Sequence, residues 1–131
     1  ASTMLEEQFL AELACEADCG ILLDVNNVYV SAFNHDRDPS AYFHALPPER
    51  VGQLHVAGHT HHGSHIVDSH VGPVCEPVWE LLREFSSTAG ERSILLEWDT
   101  DIPELNVVHA EALRARAYCR GGRAGIGVGP A

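Results

Sequence analysis

Carboxylate and imidazole side chains interrupt or end several short aliphatic runs of this sequence, and these groups are the ones best able to do chemistry. Asp24, His55 and Glu97 each stand in or directly after such a run. A buried, unpaired carboxylate costs several kcal/mol, so Glu97 needs a cation, a hydrogen-bonding partner or a proton. None of the eight basic residues is a lysine. A bound metal ion is therefore the simplest counter-charge for these groups.

Asp68 and His70 form the sharpest pair of candidate ligands. They stand two residues apart in Asp68-Ser69-His70, and residues i and i+2 of an extended segment point to the same side. A carboxylate and an imidazole placed in this way can bind one metal ion or bridge two. Oxygen ligands and imidazole, without thiolate, suit Fe, Mn or Zn better than Cu(I) or an iron–sulfur cluster.

Asn27 lies three residues after Asp24, so a strand-end carboxylate and a loop amide can reach one cavity. An aspartate in such a turn often serves only as a helix cap or in an Asx turn, and that alternative stays open. His55 alone is as well explained by a hydrogen-bonded core histidine as by a ligand.

Six of the nine histidines lie between residues 55 and 70. His59 is a candidate ligand because it closely follows the strand that bears His55. A solvated, histidine-rich loop with adventitious metal affinity explains His61, His62 and His65 equally well.

The order of apolar and amphipathic segments predicts an α/β fold with a parallel sheet. No glycine-rich phosphate loop follows a predicted strand, which argues against a nucleotide-binding open sheet. A polar residue ends every predicted strand, as at the mouth of a β/α barrel, and four strands are half of such a barrel. The sequence thus predicts the C-terminal half of a barrel with four parallel strands and outer helices. The predicted strands are residues 21–25, 51–56, 66–68 and 93–97, and the predicted helices are residues 3–18, 38–46, 77–90 and 103–118.

Two helix starts are predicted from capping residues. Thr3 and Glu6 have the spacing of a capping box, and Leu5, Phe9 and Leu13 recur on one face of the helix that follows. Asp38-Pro39 has the pattern of an N-cap followed by proline at the first helical position.

Length and charge restrict the class of protein. The 131 residues suffice for one domain or part of one, and the net charge of −11 argues against a nucleic-acid-binding surface. No apolar run approaches the roughly 18 residues that a membrane-spanning helix needs. Residues 1–118 are predicted to form a half-barrel metal-binding domain and residues 119–131 a disordered glycine- and arginine-rich tail.

The four cysteines lack CxxC spacing, and the acidic amphipathic segment that begins the sequence is expected not to follow a signal peptide. They are predicted to be reduced and mostly buried in a cytoplasmic protein. Cys75 is expected to be a buried structural thiol, although its closeness to His70 in the sequence leaves contact with the centre open.

Four segments together resemble the multinuclear non-haem iron-dependent oxidative enzymes. This bacterial family, long known as a domain of unknown function, includes the catalytic subunit of methanobactin biosynthesis. The segments are residues 22–32, 53–59, 67–70 and 96–99 with 101–103, and the resemblance covers roughly residues 3–117 in the family's order.

The resemblance implies a xylose-isomerase-like TIM barrel and a set of metal ligands. The related apurinic endonucleases have a histidine where this chain has Asn27, and Asn27 and the net charge of −11 both speak against that branch. The implied ligands are Asp24, Asn27, His55, Asp68, His70 and Glu97.

By the same resemblance, the expected activity is oxidation of a side chain, cysteine or another, in a ribosomally made precursor peptide. It implies a centre of two or three irons with O2 as co-substrate, and a small partner protein that presents the precursor. Family members also have a first half with two histidines and a bridging glutamate, which this chain lacks. The chain is therefore expected to be a fragment, a truncated product, or a half-barrel completed by self-association, with weak metal binding and little activity in isolation.

Two other functions fit the same residues. One is a Zn- or Mn-dependent hydrolase or sugar isomerase on the same barrel, and the other is a catalytically inactive remnant that acts as a structural or binding module. Iron content with O2 uptake separates the oxidase from the hydrolase, and substoichiometric metal with concentration-dependent folding indicates the remnant.

Overall fold

The computed structural model describes residues 3–120, and the predicted tail from residue 121 onwards lies outside them. Five helices and five strands, with one short 3-10 turn at Pro48–Arg50, form this part of the chain. The helices are α1 (Glu6–Glu16), α2 (Val25–His35), α3 (Pro39–Ala45), α4 (Glu76–Ala89) and α5 (Leu105–Arg120), and the strands are β1 (Ile21–Asp24), β2 (Val51–Ala57), β3 (Thr60–His61), β4 (Ile66–Val67) and β5 (Ser93–Glu97).

Three of these strands form a parallel sheet in the order β1-β2-β5, which confirms the α/β class. Residues paired between neighbouring strands point to the same side of a sheet. The pairs Asp24–His55 and Ala57–Glu97 therefore bring the polar strand ends to one face and one edge. Three adjacent parallel strands are consistent with part of a β/α barrel, and a closed barrel remains a prediction.

The prediction of a fourth parallel strand at residues 66–68 is wrong. Ile66–Val67 pairs antiparallel with Thr60–His61 in a separate two-stranded ribbon. Only four residues connect the two short strands. A connection of that length can return the chain only as an antiparallel hairpin, since a parallel partner needs a crossover of a dozen or more residues.

The two faces of the parallel sheet have different surroundings. On one face, Leu23, Leu54 and Val56 are buried in the core together with the α4 side chains, of which Trp79 is fully buried. On the face that bears Asp24 and His55, Leu22 is 55% exposed and Leu95 is 40% exposed. The polar strand ends thus lie at the edge of an apolar face that the described residues leave partly open.

Helix α1 differs from its prediction at its start and in its orientation. Its N-cap is Leu5, whose backbone N–H donates to Gln8 Oε1 at 3.4 Å, so the predicted Thr3–Glu6 capping box is wrong. The apolar stripe through Phe9, which is 57% exposed, faces solvent. Glu7 is buried instead, where it accepts from Arg37 at 2.7 Å. This ion pair and the burial of Ala14 determine which side of the helix faces the protein.

Helix α2 was not predicted, because its many β-branched residues have low helix propensity. Asp24 begins it as the N-cap, accepting from the Asn27 N–H at 2.8 Å. Asn27, interpreted from sequence as part of a loop, therefore lies in the first helical turn, next to Asn26. By contrast, the predicted cap at Asp38-Pro39 is confirmed, since Asp38 accepts from the Ser40 N–H at 3.0 Å. Helix α5 continues to Arg120, two residues beyond its predicted end.

All four cysteines are free thiols, in agreement with the prediction that they are reduced. The prediction that most are buried is wrong, because Cys15 and Cys19 are exposed on and just after α1 and the other two are half-buried. Among residues 3–120, no helix has the length and apolar character required to cross a lipid bilayer.

Candidate metal centre

His55 lies at the middle of the polar edge and contacts a carboxylate on each side. Its Nδ1 is 2.7 Å from Asp24 Oδ2, and its Nε2 is 2.9 Å from Glu97 Oε2. The ring is 4% exposed because β2 is the central strand of the sheet. The three side chains come from the carboxyl ends of the three parallel strands, where the sequence predicts them to converge.

The Nε2 atom of His55 is buried without a hydrogen-bond partner among the described residues. Glu97 Oε2 is near it but does not meet the directional requirement of a hydrogen bond. When Nδ1 donates a hydrogen bond to Asp24, Nε2 carries a lone pair and lies close to a carboxylate oxygen. Two lone pairs 2.9 Å apart repel each other unless a cation lies between or beside them. The donor set therefore fits a metal ion.

Hydrogen bonding and charge shift the pKa values of this pair in opposite directions. The hydrogen bond to Asp24 raises the pKa of His55, against the effect of burial, and the charges of Asp24 and Glu97 add to the increase. Burial acts to raise the pKa of Asp24, but the hydrogen bonds from His55 and the Asn27 N–H outweigh it, so the pKa is lowered. A metal ion would have to displace a proton from His55, so metal affinity is expected to rise with pH.

The pair predicts a pH dependence of folding in the presence of a chelator. His55 stabilises the fold fully below its ordinary pKa of 6.5 and loses this effect as pH rises through its raised pKa. Asp24 contributes stability above its ordinary pKa of 3.8 and loses it as pH falls through its lowered pKa. The difference in unfolding free energy between wild type and His55→Gln should be largest between pH 3.8 and 6.5 and shrink by pH 8. Urea unfolding at several pH values measures it, and a difference that grows from pH 6 to 8 would contradict this account.

Asp68 and His70 join the same cluster from the segment after β4. His70 Nε2 is 3.2 Å from Asp68 Oδ1, and His70 Nδ1 is 3.1 Å from Glu97 Oε2. The His70 and His55 rings meet edge to face, with centroids 5.0 Å apart. The expected reason for their convergence was wrong, because His70 has a left-handed φ of 51° and the segment is not extended. The left-handed backbone conformation of His70, rather than the alternation of a regular strand, accompanies the approach of the two side chains.

Asn27 lies beside Asp68, as the implied ligand set requires. Its Nδ2 donates to Asp68 Oδ2 at 3.0 Å, while its backbone N–H donates to Asp24. All six residues that the sequence proposes as ligands are therefore linked by direct contacts in one cluster. Their role as metal ligands remains a prediction.

Asp99 belongs to the cluster and was missed as a candidate. Its Oδ2 is 3.2 Å from His70 Nδ1, and its backbone N–H donates to the His70 carbonyl at 2.9 Å. Within residues 3–120, two groups have ligand atoms that all lie within 4.8 Å of one another: Asp24, His55 and His70, and His70, Glu97 and Asp99. The i, i+2 spacing of Glu97 and Asp99, the same spacing that singled out Asp68 and His70, could have identified it.

The other histidines of residues 55–70 lie outside these two groups. His59 Nδ1 is 3.1 Å from Asn26 Oδ1, and burial lowers the pKa of His59. His61 packs edge to face on Phe33, and His62 stacks on His65. Cys75 is also outside the groups, and burial raises the pKa of its thiol.

The sequence matches proteins of one family over nearly its whole length. A family model described as the RiPP precursor modification enzyme MbnB/TglH/ChrH matches residues 1–120. A UPF0276 protein of Anaeromyxobacter sp. strain Fw109-5 is 53% identical over 115 residues, which are 88% of this chain and 41% of that protein. UPF0276 proteins of Acaryochloris marina and Pseudomonas aeruginosa PAO1 are 45% and 47% identical, over 89% and 88% of this chain and 42% and 41% of theirs. The chain spans about two fifths of the length of these curated relatives.

Proposed function

The chain belongs to the MbnB/TglH/ChrH family of enzymes that modify the precursors of ribosomally synthesised and post-translationally modified peptides, and on this premise we propose that it takes part in iron- and O2-dependent oxidation of such a precursor. The side chain oxidised is cysteine. The iron ligands contributed by this chain are Asp24, Asn27, His55, Asp68, His70 and Glu97, and Asp99 adjoins them.

The buried Nε2 of His55 is the observation that carries the proposal. It lies 2.9 Å from Glu97 Oε2 without a hydrogen bond, and the arginine ion pairs recorded among residues 3–120 all involve carboxylates outside this cluster. Carboxylate and imidazole donors without a thiolate suit iron, manganese or zinc. The open apolar face beside the cluster, with Leu22 and Leu95 exposed, offers a surface for other parts of the enzyme or its substrate.

Iron bound at this cluster supplies the redox chemistry by which O2 oxidises the peptide. The residues of the chain hold and orient the ligand atoms. Asp24 accepts the Nδ1 proton of His55, so the Nε2 lone pair is directed into the cluster. Asp99 contacts His70 twice: its carboxylate lies beside the ring Nδ1, and its backbone N–H donates to the His70 carbonyl. The hydrogen bonds around each imidazole thereby determine its orientation before a metal ion arrives.

The remaining ligands and the other wall of the site come from the part of the family's length that this chain does not match. A small partner protein presents the precursor peptide to the completed site. Self-association of this chain is the alternative way to cover the open face.

Metal analysis and O2 uptake test the proposed activity. The protein used is a form extended to the relatives' full length, supplied with a cysteine-containing candidate precursor peptide. We expect iron to copurify and O2 uptake to depend on the peptide, and His55→Ala to lose both. Copurified zinc with no O2 uptake would contradict the proposal and favour the hydrolase or isomerase.

A further inference from the structure

Asn26 is a fully buried polar residue next to the candidate metal centre, and the ligand set proposed above does not include it. It is 0% exposed, in the first turn of α2. Its Nδ2 donates to Asp68 Oδ1 at 2.5 Å and to the Gly58 carbonyl at 3.4 Å. Its Oδ1 is 3.1 Å from His59 Nδ1. One amide therefore connects α2 to two other segments of the chain, at residues 58–59 and at Asp68.

The partners of Asn26 determine which way its amide points. A carboxylate only accepts hydrogen bonds, so the nitrogen must face Asp68 and the oxygen must face His59. In the neutral ring of His59, Nδ1 then carries the proton and Nε2 carries the lone pair. The orientation of one asparagine thus selects the tautomer of a histidine beside the site.

The Asp68 carboxylate is held at both oxygens by neighbouring asparagines. Asn26 donates to Oδ1, and Asn27 donates to Oδ2 at 3.0 Å. Asp68 follows a two-residue strand and lies in a segment without regular secondary structure. The two amides therefore fix the orientation of a carboxylate that lies outside any helix or strand.

We propose that Asn26 is a positioning residue of the metal centre, which holds the Asp68 carboxylate in its binding orientation and keeps His59 protonated at Nδ1. This inference rests on the metal centre of the proposed function. Loss of a residue that orients a metal ligand lowers metal affinity by about 10–100-fold. Asn26→Ala removes all three hydrogen bonds of the amide, whereas the nearly isosteric Asn26→Asp retains an acceptor for His59 and places a second carboxylate against Asp68.

Helix α2 offers a matched control in Asn34. Its side chain exchanges two hydrogen bonds with the Ile66 backbone, at 2.8 and 2.9 Å, and contacts no candidate ligand in these bonds. Asn34→Ala therefore removes a comparable link between α2 and the β3–β4 ribbon. It should lower the melting temperature and leave metal affinity unchanged.

The experiment uses the form extended to the relatives' full length, with Co(II) absorption as the metal probe and 15N NMR of His59 in the metal-free protein. We expect Asn26→Ala and Asn26→Asp to weaken Co(II) binding by about 10–100-fold and alter the Co(II) spectrum. We expect the Nδ1-protonated form of His59 to dominate in wild type and Asn26→Asp, and to give way to a tautomer mixture in Asn26→Ala. Circular dichroism checks folding, and Asn26→Asp keeps the test valid if the alanine variant unfolds.

The outcomes separate this inference from the function it rests on. Wild-type Co(II) binding that Asn26→Asp leaves unchanged would overturn the role of Asn26 while retaining the metal centre. A His59 tautomer that is the same in wild type and in a folded Asn26→Ala would overturn it as well. Absence of Co(II) binding by the wild type, together with absence of iron in the full-length form, would overturn the metal centre itself.

Discussion

In a full-length form of the protein, Asp68→Ala and His70→Ala should each weaken iron binding by more than about 100-fold and abolish peptide oxidation. The two side chains contact each other, and His70 also contacts Glu97 and Asp99. Removal of either side chain takes one ligand from the metal ion, and the remaining charged ligands are then neutralised less well. Iron per chain and turnover with the precursor peptide are the measurements.

The fold should tolerate the Asp68 and His70 variants when no metal is bound. Asp68 and Glu97 lie in one acidic cluster, and removal of a carboxylate from it relieves repulsion between like charges. Far-ultraviolet circular dichroism of the metal-free variants should therefore match that of wild type. A loss of iron caused by unfolding is distinguished in this way from a loss of ligands.

His61→Ala and His62→Ala are the controls from the same histidine-rich segment. These side chains lie outside the two candidate metal groups of the described residues, against Phe33 and His65. Both variants should keep most of the iron and activity. Full iron loading with normal turnover in Asp68→Ala and His70→Ala would refute the assignment of these two ligands. Loss of iron and turnover in His61→Ala and His62→Ala instead would place the metal centre in the histidine-rich loop.

Gly58→Ala should disrupt the fold and the metal site together. A Cβ atom at this position would lie 2.3 Å from the Val71 carbonyl oxygen and 2.4 Å from that of Gly72. Both contacts are with backbone, so the segment that carries Asp68 and His70 must move. Overpacking of this kind costs about 1–3 kcal/mol, and occasionally more. We expect a loss of that size in unfolding free energy, together with metal binding weakened by more than about 100-fold, since two ligands shift together.

Gly52→Ala is the matched control, because Gly52 lies in β2, the strand that directly precedes Gly58, and has open space around it. A Cβ atom at Gly52 meets nothing within 4 Å. Replacement of glycine by alanine at a compatible site stabilises a protein by about 0.4–1 kcal/mol through the unfolded chain. Urea unfolding and Co(II) titration of both variants provide the comparison. If the two variants had equal stability and equal metal binding, the close contact of Gly58 with the Val71–Gly72 backbone would not be required for the fold or the metal site.

The strand-end residues of the site could be predicted from sequence because their position depends on local rules. Parallel strands present their carboxyl ends at one edge, so Asp24, His55 and Glu97 could be grouped once their strands were recognised. The cap at Asp38-Pro39 and the helix end at Gly90 are equally local, since each depends on the conformational preference of one or two residues.

Helix α2 shows where local rules fail. Its β-branched residues disfavour a helix in isolation, and burial of Val25 and Val28 against the sheet and α4 overrides that preference. Helix α1 shows the converse, since a regular apolar stripe through Phe9 is exposed while Glu7 is buried against Arg37. Periodicity predicts that a helix forms, and it cannot identify which neighbour the helix packs against.

The sequence by itself determined the α/β class, the family and the residue types at the candidate site, because these follow from short-range patterns and spacing. Only the tertiary structure decided how those residues meet. The Asn26–Asp68 hydrogen bond joins residues 42 positions apart, and His70 has a left-handed backbone conformation where the spacing predicted an extended segment. Such contacts depend on the close approach of Gly58 to the Val71–Gly72 backbone. A chain's local preferences do not encode that approach, which arises only when separate segments pack together.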